Sequence, residues 1–316
     1  LILLKAELSF FSMIFKEEPE DFVVEEIRTL PSLAQGAYVY YLLTKRNITT
    51  PEAAAFLSEH LHIPPSHIGY AGNKDKRAVT TQYISFPWNS RKPLQQSYSF
   101  TGMSLTYVTH ATERITLGDL EGNRFVITIR DLSTQQKLTV DQIRNLFDDQ
   151  RFGAEQKNIQ IGKALVRGRF QEVCDLLQLS YTENNYAAAL RTVQKKLLRF
   201  YVASYQSYLW NLVARQVHHI ETVPLVGFLT ELTGDVGRLY RALFEHEGIT
   251  LDNFLFKSLP ELMVEGDERP LFVAVKNFSY TYDADELHPT KFKCVLRFEL
   301  QKGTYATIVV KQLFKD

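Results

Sequence analysis

The chain has 316 residues, 45% of them hydrophobic and 23% charged, and its 36 basic and 36 acidic residues balance to a formal net charge of zero. These are the proportions of a globular protein with room for one large or two ordinary domains, and the zero balance argues against a uniformly basic RNA binder. No stretch approaches the ~20 uncharged apolar residues of a membrane span. The opening Leu-Ile-Leu-Leu-Lys, interrupted by Lys5 and Glu7, is too short for a signal-peptide core. Cys174 and Cys294 lie far apart in different kinds of segment and offer no disulfide framework, so a reducing cytoplasm is the expected location.

The first 130 residues read mostly as strands. Residues 9–16, 22–28 and 37–45 are β-branched or aromatic runs. Thr50-Pro51-Glu52 predicts a helix start with Thr50 as N-cap, residues 53–62 supply the helix, and Pro64-Pro65 stops it. Further strands are expected at 79–86, 105–109, 114–117 and 124–130. From about residue 139 to 255 the periodicity is helical, strongest at 156–177, 186–199 and 200–219. Strand character returns at 271–282 and 291–300, and a last amphipathic helix is expected at 304–314. Strands, then helices, then strands predict an α+β protein in which a helical segment is inserted into a mixed α/β domain.

Charge is unevenly spread. Glu17, Glu18, Glu20, Asp21, Glu25 and Glu26 crowd residues 17–26 with no basic residue. Residues 151–199 instead carry nine Lys or Arg against four acids, enough to make one basic face for a phosphate backbone, or simply a solvated helix surface.

The most informative stretch is Gly69-Tyr-Ala-Gly-Asn-Lys-Asp-Lys-Arg-Ala-Val-Thr-Thr-Gln82. Asp75 sits between Lys74 and Lys76 in a loop opened by two glycines and followed by a strand-like run. Flanking ammonium groups favour an anionic carboxylate. Held in a loop between regular elements, such a group is poised to act as nucleophile or base. A bare Lys-Asp-Lys, taken alone, is more often a charged turn. The complete pattern is more specific. It resembles the signature of the TruD family of tRNA pseudouridine synthases, a glycine, any residue, Lys-Asp-Lys/Arg and Ala-x-Thr-x-Gln, met here by Gly72, Lys74, Asp75, Lys76, Ala78, Thr80 and Gln82. The resemblance implies that Asp75 is the catalytic residue and that Lys74, Lys76 and Gln82 line the substrate site.

Other segments resemble motifs of the same family, in family order. Lys16-Glu-Glu-Pro-Glu-Asp-Phe-Val-Val24 is similar to Lys-x-x-Pro-x-Asp-Phe-x-Val, which implies Lys16 as a catalytic partner and counter-ion of Asp75. At ~4 Å such a pair is worth roughly 4 kcal/mol at an effective dielectric of ~20. Alone, Lys16 reads as an edge-strand charge. Gly122-Asn-Arg-Phe125 resembles Gly-Asn-x-Phe, implying that Asn123 and Phe125 hydrogen-bond and stack on the target base. By pattern alone, Phe125 with Ile127 and Ile129 is core. Asn145-Leu-Phe-Asp-Asp-Gln-Arg-Phe-Gly153 resembles Asn-Tyr-Phe-Gly-x-Gln-Arg-Phe-Gly, with Leu146 and Asp148 replacing a tyrosine and a glycine, and leaves Arg151 for the RNA backbone. Residues 203–211 and 302–307 resemble the family's Tyr-Gln-Ser helix and its closing Gly-Thr-Tyr-Ala-Thr motif.

The resemblance thus spans residues 16–307. It implies a largely antiparallel pseudouridine synthase catalytic domain, residues 1–152 and 269–316, with an inserted, mostly helical, tRNA-binding TRUD domain at 153–268. It implies an isomerase acting on uridine 13 in the D arm of tRNA, expected to be monomeric and to need no cofactor or metal. The main alternative is a non-catalytic RNA-binding or RNA-folding protein using the same cleft. His60, His62 and His67 could suggest a metal-dependent hydrolase, but no carboxylate stands beside them at a familiar ligand spacing.

Overall fold

A computed structural model of the chain describes residues 14–88 and 94–314. In chain order these form β1 (Ile14–Phe15), β2 (Phe22–Ile27), β3 (Tyr38–Arg46), α1 (Thr50–Leu61), β4 (Gly69–Tyr70), β5 (Val79–Pro87), β6 (Ser97–Phe100), β7 (Met103–Ala111) and β8 (Gly122–Leu132). Then come β9 (Gln142–Arg144), α2 (Lys157–Val166), α3 (Phe170–Leu176), α4 (Tyr186–Leu190), α5 (Lys195–Ala214), β10 (Thr222–Leu225), α6 (Gly234–Glu247), β11 (Asp267–Pro270) and β12 (Phe272–Ala274). The chain closes with β13 (Lys276–Ala284), β14 (Phe292–Gln301) and α7 (Ala306–Leu313). Two units result, one running to Asp141 together with Ala274–Gly303, the other Gln142–Val273 with the residues from Thr304 onward.

The first unit is a sheet ordered β13-β14-β8-β2-β5-β3-β7-β6, with β1 added on β8 and β4 on β5. All pairings are antiparallel except β2 with β5. Directly paired residues share a sheet face. The registers therefore put Phe22, Val24 and Glu26 of β2 on one face with Asn123, Phe125 and Ile127 of β8. Thr80, Gln82 and Ile84 of β5 and Tyr41, Leu43 and Lys45 of β3 continue that face. Helix α1 covers its apolar end, with Ala53 and Leu57 packed among Val39, Tyr41, Leu43, Ile84 and Leu105. Burying one such leucine contributes roughly 1.5–3 kcal/mol.

The N-cap of α1 is Thr49, one residue before the expected Thr50. Its hydroxyl accepts from Glu52 N while the Glu52 carboxylate accepts from Thr49 N, which turns Thr50 into the interior. The helix ends at His62 in the left-handed region, and the expected proline stop follows. The expected strand at 114–117 is instead irregular chain leading into a turn: Ile115 N bonds the Ser85 hydroxyl and buries the Ile115 side chain, while Leu117 stays exposed. Of the strand expected at 9–16, residues 9–13 lie outside the described residues.

In the second unit the expected helix at 156–177 breaks into α2 and α3 at Gly168, whose φ of +69° ends the first helix. Helix α5 packs on α2 so closely that a Cβ at Gly162 would lie 2.1 Å from the Tyr201 carbonyl oxygen. The two compact units meet at 141/142 and 273/274, and α7 groups with the helices rather than with the sheet. The physical reason is local. The Gln312 amide exchanges hydrogen bonds with both the N–H and the carbonyl of Arg144, and Lys311 pairs with Asp148 and Asp149.

Candidate active site

Asp75 lies in the loop 71–78 between β4 and β5, and this loop is fastened from several sides. Lys74 N donates to the Thr50 hydroxyl (2.9 Å), which donates to Gln82 Oε1 (2.8 Å), and Gln82 Nε2 donates to the Gly72 carbonyl (3.0 Å). The inward turn of Thr50 at the helix start is what makes this relay possible. Lys74 Nζ meets Glu26 Oε2 at 2.8 Å with both side chains buried. Lys45, 1% exposed, reaches up from β3 to the Asp75 carbonyl (3.3 Å) and the Ile48 carbonyl (2.5 Å). Burial pushes its ammonium down to about 8, with the Asp75 charge opposing that shift.

The Asp75 carboxylate itself takes the Lys16 ammonium at 2.5 Å, with side chains 39% and 13% exposed. The expected pair is therefore formed, by residues 59 positions apart. Lys16 adopts a left-handed φ of +64° just after β1, and its ammonium also sits 3.8 Å over the Phe22 ring. The turn that follows is locked by Asp21, which caps Glu18 N and is gripped by Arg130 of β8; Arg130 also binds Asp285 and Glu286. Thus the aspartate of the first motif shapes the turn next to the lysine. With Asp75 this exposed, solvent screening leaves the ion pair nearer ~1 kcal/mol than the roughly 4 of an unscreened pair. Replacing Lys16 by Met is expected to lower turnover at least about tenfold and to leave tRNA affinity nearly intact, read from single-turnover tritium release beside tRNA binding. Turnover equal to wild type would make Lys16 a surface charge only.

The other expected site residues divide. Asn123 stands on the same face, directly across from Glu26, and its Oδ1 is buried without a hydrogen-bond partner among the described residues, as is Glu26 Oε1. Lys76 is exposed and pairs with exposed Glu52 at 3.0 Å, so it can turn to a ligand. Three of the expected substrate residues have buried side chains. Gln82 is wholly buried and spends its amide on the loop, and the Lys74 ammonium is paired with Glu26. Phe125 is 6% exposed, its ring alongside Phe298 and against the edge of Phe22; the ring beneath Lys16 is Phe22. Lys45, Thr50, Glu26 and Arg130 were missed. A lysine at an inward-facing position of the alternation in β3 was the one available signal.

Arg151 belongs to the second unit. Its Nε donates to the Ser207 hydroxyl and its guanidinium lies 5.5 Å from the Phe147 and Phe200 rings. The motif around it is structural. Asn211 of α5 clasps the N–H and carbonyl of Phe147 at 2.9 Å each, joining two family-like segments. Asp148, where the family has glycine, has φ −82°, which any residue adopts, and its carboxylate takes Lys311 at 2.7 Å. Lys163 and Arg167, counted toward a basic face, turn instead to buried Glu247, which also accepts from the Tyr205 hydroxyl. His60 stacks on Phe56 at 3.7 Å, and His62 ends α1 through its left-handed backbone with its side chain exposed.

Similarity to known proteins extends over nearly the whole chain. It is 28% identical to the probable tRNA pseudouridine synthase D 2 of Methanocaldococcus jannaschii, over 96% of this chain and 92% of that protein. It is 25% identical to the tRNA pseudouridine synthase D of a Geobacter species, over 100% and 99%. Its fold superposes with TM-score 0.76 on the crystal structure of the putative tRNA pseudouridine synthase D of Methanosarcina mazei, at 24% identity, covering 96% of this chain and 93% of that one. The family described as tRNA pseudouridine synthase D (TruD) matches residues 5–180 and 213–313, and with most of its length matched the chain belongs to the TruD family of tRNA pseudouridine synthases.

Proposed function

We propose that this enzyme converts uridine 13 in the D arm of tRNA to pseudouridine with Asp75 as the catalytic residue. The observation that carries the reading is the solvent-reachable Asp75 carboxylate held by Lys16 at 2.5 Å on a loop fastened from beneath by Thr50 and Gln82. The isomerisation breaks the C1′–N1 bond, turns the uracil over and joins C5 to C1′; the C5 proton leaves to solvent and N1 gains one. No redox equivalent or phosphate energy enters that balance, so the reaction calls for no cofactor. Asp75 serves as nucleophile or base. The target must leave its stack, at a cost of a few kcal/mol that contacts to the flipped base and to the backbone offset. Asn123, with its unpaired amide oxygen, suits the N3–H of uracil, and Lys76 and Arg151 suit phosphates.

The test is unmodified tRNA tritiated at uridine C5. Tritium release that stops when uridine 13 alone is replaced supports the reading. Binding without release would leave an RNA-binding or RNA-folding protein.

The basic face is expected on the solvated lysines of the helical unit, Lys157, Lys195 and Lys196, all exposed. Replacing the three by Ala is expected to weaken tRNA binding and to lower the slope of log K against log salt by ~0.9 for each duplex phosphate no longer neutralised. A salt slope equal to wild type would place the RNA elsewhere.

A further inference from the structure

Strand β3 turns Lys45, its last residue but one, into the interior, although the next residue, Arg46, is exposed. It lies on the sheet face that holds Thr80 and Gln82, and among the described residues no carboxylate lies within ion-pair distance of its ammonium. Two main-chain carbonyls take that place, Ile48 just before α1 and Asp75 itself. A lysine this buried is rare because the desolvation of its charge is costly, and nothing in the packing of the sheet calls for one. A leucine or methionine would fill the same space. Its two acceptors are instructive: one fixes the chain entering the capping turn that presents Thr50, the other fixes the main chain of the residue that carries the carboxylate.

We infer that Lys45 is a positioning residue for the reaction, holding Asp75 by its main-chain carbonyl while Lys16 holds its carboxylate. The inference rests on the reading of Asp75 given above. Two cations then act on one residue from different atoms, and between them they set both where the carboxylate stands and how it is turned. The charges around Lys45 are Asp75 and Glu52, which favour its ammonium, and Lys74, which disfavours it; burial outweighs them, leaving the group at about 8. A neutral amine keeps N–H donors, but charge-assisted hydrogen bonds are roughly twice as strong as neutral ones. Deprotonation therefore slackens the hold on the loop and removes positive potential beside the carboxylate. Since Lys45 is too buried to touch RNA, the consequence falls on kcat and not on KM.

The experiment follows tritium release by the full chain at saturating and limiting tRNA between about pH 6.5 and 9. Wild-type kcat is expected to fall through an alkaline limb near the Lys45 value while KM stays level. Lys45→Met is expected to lower kcat about tenfold to a hundredfold at neutral pH, the scale of a misplaced catalytic group, with KM within about twofold and no alkaline limb. Should its thermal melt show that Lys45→Met does not fold, Lys45→Arg replaces it: an active variant without the limb supports the inference. A flat wild-type profile, or a limb that persists in either variant, overturns it, because the titrating group is then another, the uridine N3 included. Asp75→Asn separates the two readings. If Asp75→Asn keeps turnover, the assignment of Asp75 fails and that of Lys45 with it. If Asp75→Asn is inactive and Lys45→Met matches wild type, only the role of Lys45 fails.

Discussion

Asp75→Asn is expected to abolish pseudouridine formation while leaving the fold and tRNA binding in place. The amide is nearly the same size as the carboxylate, and the loop bonds made by Lys74 N, Gln82 and Lys45 reach main-chain atoms or other side chains, so they survive the exchange. What disappears is the nucleophile or base, together with the ion pair to Lys16. Loss of a catalytic group costs ~10²–10⁴ or more in turnover, equivalent to about 3–5 kcal/mol of barrier. Single-turnover tritium release, with tRNA binding measured in parallel, reads both quantities. Turnover within about tenfold of wild type would remove Asp75 from the mechanism.

Arg130→Met is expected to have the largest effect on stability. Arg130 is almost wholly buried on β8 and is shared by Asp21, Asp285 and Glu286, of which Asp21 and Asp285 are buried as well. Removing the cation leaves two carboxylates in the interior without their partner. Breaking a buried ion pair from one side costs about 3–5 kcal/mol, far more than the pair's net worth. Urea unfolding monitored by circular dichroism measures the loss in the sheet unit. The turnover of the surviving folded fraction should fall too, since Asp21 shapes the turn that carries Lys16. A change in stability below about 1 kcal/mol would mean that water replaces the guanidinium there, and that the cluster is not what locks the turn.

The candidate site was legible in the sequence because its residues fall in contiguous segments that resemble family motifs. Lys74-Asp75-Lys76 is a loop between strands, and Lys16 with Pro19 and Asp21 is one turn; each needs only its neighbours to be recognised. Alternation and capping likewise marked β2, β5, β8 and α1. What the sequence alone could not decide is which polar side chains face inward. Lys74, Gln82 and Lys163 look like surface groups in a string of letters, and only the packing of Glu26, Thr50 and Glu247 against them shows that they are spent inside. Lys45 and Arg130 draw their meaning from partners 30 and up to 156 residues away, brought close by sheet register. Phe125 shows the same dependence: its own strand does not say which rings lie against it, and the neighbouring strands supply Phe22 and Phe298. Local motifs thus singled out the candidate residues Asp75 and Lys16. Long-range pairing, which no local pattern encodes, determined which of their neighbours hold them in place.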